Sequence, residues 1–135
     1  MEDADRSIRE FILTRLTLLS AEEGGRQTPI FVCAYQARYS PHIVIGDPGQ
    51  RKAIVVEKDG VKTSTELYLG VTFWDGPKID PLPTGQAMEI EMMLFYAPSA
   101  IYDNAISGQT FTLREGSRII GFGEILDRWK QKVPQ

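Results

Sequence analysis

The 135 residues contain one cysteine, Cys33, and one histidine, His42. A thiol beside an imidazole makes a nucleophilic pair when a third group orients the base. No orienting group or nucleophile elbow accompanies them in the sequence, and no second His or Cys stands at metal-ligand spacing. Cys33 falls in the apolar run Ile30-Phe31-Val32-Cys33-Ala34-Tyr35, where a cysteine acts as a small buried hydrophobe. His42 follows Pro41 in a strand-like run and reads as a structural or exposed side chain. Gly24-Gly25-Arg26 lacks the glycine spacing and the lysine–hydroxyl pair of a phosphate loop. The 18 Asp and Glu include no pair singled out by its surroundings for acid–base work. The chain is expected to be no enzyme and to need no cofactor or metal.

Binding chemistry is better represented. The stretch Glu22-Glu23-Gly24-Gly25-Arg26-Gln27-Thr28-Pro29 separates two apolar runs, and Arg114-Glu115-Gly116-Ser117-Arg118 does the same near the C-terminus. Each sets a carboxylate and an arginine around a glycine-containing turn. Paired glycines free the backbone N–H groups to face one partner, and a guanidinium offers a planar fork to phosphate or carboxylate. Glu115 has the acceptor that a ribose 2′-hydroxyl requires. The competing reading is structural: Arg26 pairs with Glu22, Glu23 or Glu115 and fastens the fold.

The elements that hold these turns read as short strands. Residues 13–20 alternate in β-prone residues; a capping box at Ser7 and Glu10 offers a helix over 8–15 as the rival. Residues 30–38 form a second run, and 42–45 a third, closed by Gly46-Asp47-Pro48-Gly49. Asp59-Gly60 joins runs 53–58 and 61–68 in the clearest hairpin signal of the chain. Strand character returns over 67–74. In 88–96, Met88, Ile90, Met92 and Leu94 define a core face. Phe111 and Leu113 share one face of the next strand. Gly121 and Gly123, two apart, mark a face stripped of side chains where a backbone or ring comes close. The expected domain runs over 1–135, with a flexible N-terminus at 1–10, a β-barrel at 11–126 and a polar tail at 127–135.

Hydrophobic content of 42% and charged content of 24% are those of a globular domain of this length. A net charge of −3 argues against a general nucleic-acid coat and leaves room for a local basic patch. No apolar run approaches the roughly 20 residues that span a bilayer, and the acidic start at Glu2-Asp3 is unlike a signal peptide. A cytoplasmic protein without membrane contact is expected.

At both turns the sequence resembles the C-terminal (third) β-barrel domain of elongation factor Tu. Residues 22–31 are similar to its opening E-E-G-G-R-H-T-P-hydrophobic-F, and Ala34-Tyr35 to its G-Y. Residues 108–123 are similar to its closing G-x-R-F-A-I-R-E-G-G-R-T-V-G-A-G. The resemblance implies an all-β fold, a closed six-stranded antiparallel Greek-key barrel, with an inserted hairpin near 50–66. It also implies contact with tRNA or another structured RNA; the alternative is a protein-interaction module docking on translation-related or other protein partners. The implied binding residues are Gly25, Arg26, Gln27, Arg38, Glu115, Gly116 and Arg118. Gln27 stands where the family has histidine, and Arg38 where it has glutamine. GTP binding is not expected of this chain, which carries no GTPase motif. The insertion brings Arg51, Lys52, Lys58 and Lys62, which read either as an added binding surface or as a solvated face.

Overall fold

A computed structural model describes residues 8–34 and 37–134, the side chains of Cys33, Ala34 and Ala37 excepted. The readings of Cys33 as buried, of Ser7 as a cap and of residues 1–6 as loose lie outside the described residues. Ten strands follow in chain order: β1 Ile8–Leu18, β2 Cys33–Ala34, β3 Ala37–Arg38, β4 His42–Ile45, β5 Val55–Lys58, β6 Val61–Ser64, β7 Leu69–Asp75, β8 Ala87–Leu94, β9 Thr110–Glu115 and β10 Arg118–Lys132. Two 3-10 turns, Ala21–Glu23 and Ala100–Tyr102, are the only helical pieces among the described residues. None is long and apolar enough to cross a membrane as a helix.

Six strands pair antiparallel in the order β1-β10-β9-β4-β7-β8, and β8 pairs back onto β1, so the sheet closes on itself as a barrel. Alternation decides which side chains fill it. Ile12, Leu16, Phe73, Ile90, Met92, Phe111 and Leu113 are fully buried in one cluster. Met88 is only partly buried at the barrel's end, packed against that cluster. Each large apolar side chain so buried contributes about 1.5–3 kcal/mol. Tyr102, from the second 3-10 turn, is fully buried in the same cluster. Its hydroxyl donates to the Gly70 carbonyl at 2.6 Å and accepts from the Tyr96 N–H at 2.9 Å.

The glycine face has the expected cause. A Cβ on Gly123 would lie 2.2 Å from the Arg15 carbonyl oxygen and 3.0 Å from the Phe111 ring; one on Gly121 would lie 2.8 Å from the Thr17 oxygen. The backbone of β1 and the Phe111 ring occupy the space that side chains would need.

Three sequence expectations change. The 8–15 segment is strand, and β1 begins at Ile8, inside the stretch expected to be flexible. The polar tail is strand as far as Lys132, because β10 continues along β1 to the pair Ile8↔Lys132. Phe11 explains both extensions. It is fully buried between Trp129, stacked at 5.9 Å, and Trp74, edge-on at 5.4 Å, outside the main core. The run 30–38 is not one strand: β2 and β3 fold back on each other as a separate two-stranded pair.

The insertion between β4 and β7 carries the second pair, β5 and β6, which turns at Asp59 (φ 53°) and Gly60 (φ 78°). Positive φ at both central residues matches the type I′ turn that Asp-Gly favours. The strands are shorter than expected, since the chain leaves the hairpin at Thr65 to bring Glu66 onto the barrel wall.

Candidate functional site: the meeting of the two turns

Ser20 starts the first turn with a capping box. Its hydroxyl accepts from the Glu23 N–H at 3.3 Å, and Glu23 Oε1 accepts from the Ser20 N–H at 3.0 Å. The Ser20 N–H, and the Ser20 hydroxyl donating to the same oxygen at 3.0 Å, hold the Glu23 carboxyl below its ordinary range. Gly24 then takes the left-handed conformation (φ 101°) and closes the turn on the Ala21 carbonyl. Gly25 is buried against the Leu19 backbone, where a Cβ would sit 2.1 Å from the carbonyl oxygen, so no other residue fits. Ser20-Ala21-Glu22-Glu23 carries this capping pattern in the sequence itself.

The path out of this turn delivers Arg26 to the second turn. Arg26 Nε lies 3.2 Å from Glu115 Oε2, and both side chains are about 30% exposed (28% and 30%). The Tyr39 hydroxyl donates to the same carboxylate oxygen, and the Arg26 guanidinium lies 5.4 Å from the Tyr39 ring centre. Burial, together with the Glu115 charge, pushes the Tyr39 phenol well above its usual pKa. Tyr39 in turn sets its ring edge-on to Phe73 in the core. The cluster Arg26–Glu115–Tyr39 thus joins two turns distant in the chain and roots them in the barrel. Gln27, Gly116 (φ 58°) and Arg118 are exposed beside it.

Arg38 does not join this cluster. Its guanidinium stacks over Trp74 at 3.9 Å and donates to the Phe73 and Trp74 carbonyls. It lines a different cleft of about 500 Å³, with Asp75, Lys78, Asp80 and Glu91. There, burial and the neighbouring Asp75 raise the Glu91 pKa. Of the residues the resemblance implied, Arg38 thus lies against Trp74, while Arg26 and Glu115 meet each other.

The most completely partnered charge was not among the expected site residues. Arg114 is fully buried on the outer face of β9, opposite Phe111 and Leu113. It forms a bidentate pair with Glu66, Nη1 to Oε1 at 3.0 Å and Nη2 to Oε2 at 2.9 Å. It also donates to the Tyr68 hydroxyl (3.0 Å) and to Thr112 Oγ1 (2.8 Å). Glu66 accepts further from Gln50 Nε2 and from the Ile54 N–H. These donors, Arg114 first, bring its pKa down to about 2. One ion pair therefore fastens both ends of the insertion to the barrel. Only the β-barrel alternation of Thr112 and Arg114 against Phe111 and Leu113 hinted at a second covered face.

Among the described residues no group of three or more His, Cys, Asp or Glu is placed to hold a metal ion. Fold and site together define an all-β scaffold whose two charged turns are joined by the Arg26–Glu115 pair and whose inserted hairpin is exposed. No protein-family model matches the chain, and a search of curated proteins finds no match.

Proposed function

We propose that this chain is a non-catalytic, cytoplasmic binding module that engages a protein partner through the inserted hairpin, on a barrel resembling the third domain of elongation factor Tu. The supporting observation is the hairpin itself: every residue of β5 and β6 is exposed, Val55, Val56 and Val61 among them. Exposed β-branched residues clustered on a projecting element fit a contact surface better than a solvated loop. The net charge of −3 favours a protein over a polyanion. The test is capture of partners from cell lysate by the intact chain and by Val56→Asp/Val61→Asp, with and without nuclease. A nuclease-resistant partner retained only by the unaltered chain is the expected result. Equal retention by both, or retention abolished by nuclease, refutes it.

A second reading is contact with tRNA or a similar structured RNA at the two-turn end. What favours it is the convergence of Arg26 and Glu115, with Gln27, Gly116 and Arg118 exposed around them. It requires salt-sensitive binding, because each phosphate contact releases counterions. Absence of tRNA binding at low salt, or indifference to Arg26→Ala and Arg118→Ala, removes it.

A further inference from the structure

The hairpin pairs Lys58↔Val61, Glu57↔Lys62, Val56↔Thr63 and Val55↔Ser64. In a hairpin closed by a two-residue turn the residues flanking the turn exchange their main-chain bonds, and bonding alternates from there. Lys58 and Val56 therefore bond inward to β6, while the N–H and C=O groups of Glu57 and Val55 point away from it. On β6 the outward groups belong to Lys62 and Ser64. β5–β6 is a sheet of two strands, so neither edge has a further strand among the described residues.

The two edges are not equivalent. β6 runs Val61-Lys62-Thr63-Ser64, a polar edge with the lysine that discourages strand pairing. β5 is entered through Ile54-Val55-Val56, three successive β-branched residues 54%, 49% and 44% exposed. A pair of strands alone is marginally stable in water, and addition of a third supplies both main-chain bonds and cross-strand contacts. Register places Val56, Lys58, Val61 and Thr63 on one face, two valines and a threonine with a single cation. Lys58 forms no ion pair among the described residues. On the opposite face Glu57 already stands across from Lys62. Within 51–64 there are four cations, Arg51, Lys52, Lys58 and Lys62, against two carboxylates, Glu57 and Asp59, although the whole chain carries −3.

We infer that the β5 edge accepts an extended segment of a partner protein, added as a third strand, with an apolar residue opposite Val56 and a carboxylate opposite Lys58. This rests on the protein-binding reading and adds its mode and chemistry. The probe is an end-blocked, fluorescein-labelled heptapeptide with threonine at alternate positions and valine, glutamate and valine between them; a second probe has lysine for glutamate. Anisotropy titration is expected to show about tenfold tighter binding of the glutamate probe, the size of one well-placed charge pair. Lys58→Glu should reverse that preference. Glu57→Pro should abolish binding, since it removes an outward N–H while leaving the inward bonds; Lys62→Pro on the other edge should not. Equal affinity for both probes, no binding, or indifference to both Glu57→Pro and Lys58→Glu overturns the inference. So does sedimentation showing a dimer that Glu57→Pro dissociates, which assigns the edge to a second copy. If the probes fail while nuclease-resistant capture persists, strand addition falls and the protein-binding reading stands; if both fail, both fall.

Discussion

Replacing Glu66 by glutamine asks how much of the fold hangs on the single buried pair with Arg114. The substitution keeps shape and one carbonyl acceptor, but leaves a guanidinium that is 0% exposed without its counter-charge. Breaking one side of a buried pair costs about 3–5 kcal/mol. The acceptors Tyr68 and Thr112 remain, and the glutamine carbonyl retains one bond, so a loss of about 2–3 kcal/mol is expected at pH 7. Acid gives an independent handle. The Glu66 pKa falls from 4.5 in the unfolded chain to about 2 in the folded one. Its stabilisation is therefore complete above pH 4.5 and is lost as pH falls toward 2. At about 1.4 kcal/mol per pH unit the window is worth up to about 3 kcal/mol, in line with the mutational figure. Urea unfolding followed by tryptophan fluorescence, from pH 7 to pH 2.5, measures both. Glu66→Gln should be less stable at pH 7 and should have a flatter acid limb than the unaltered chain. Because Glu66 also holds the Ile54 N–H, amide exchange at the foot of the hairpin should accelerate ahead of the barrel. A loss below about 0.5 kcal/mol at pH 7, typical of an exposed pair, with an unchanged acid limb, would show that the pair fastens nothing.

Three further outcomes follow from the structure. Gly123→Ala drives a Cβ to 2.2 Å from the Arg15 carbonyl, so β1 and β10 must part locally; a loss above about 2 kcal/mol is expected in thermal unfolding. Gly116→Ala meets nothing within 4 Å and bears only its positive φ, so about 1 kcal/mol is expected there. Tyr39 is held neutral in the fold by burial and by Glu115, whereas the unfolded chain ionises near pH 10. Stability should consequently decline as pH rises above 10, by up to about 1.4 kcal/mol per unit from this group. Tyr39→Phe should shallow that decline; an identical slope in urea midpoints from pH 9 to 11.5 would contradict the role given to Glu115.

Local signals were legible wherever local chemistry decides the outcome. The Asp59-Gly60 turn demands two positive φ values, and the chain adopts them. Alternation of Ile90, Met92 and Leu94 marks the inner face of β8, and Gly121 and Gly123 mark the close approach of β1. Periodicity failed at the ends. Residues 127–132, polar apart from Trp129, look like a tail in sequence, yet they are held as strand by β1, more than a hundred residues earlier in the chain. A capping box forms at Ser20 and Glu23, where the chain leaves β1.

The sequence by itself determined an all-β chain with an Asp-Gly hairpin and two polar turns, because strand alternation and turn preference act over a few residues. Tertiary structure alone decided which charges meet. Arg26 finds Glu115, Arg114 finds Glu66 across 48 residues, and Arg38 turns aside to Trp74. Those pairings depend on strand order and register in a closed sheet, and a carboxylate's identity does not say which arginine closure will bring to it. The opening pair of turns is thereby a fastened joint with exposed flanks, and the free strand edge lies on the insertion that the joint's neighbour, Arg114, holds in place.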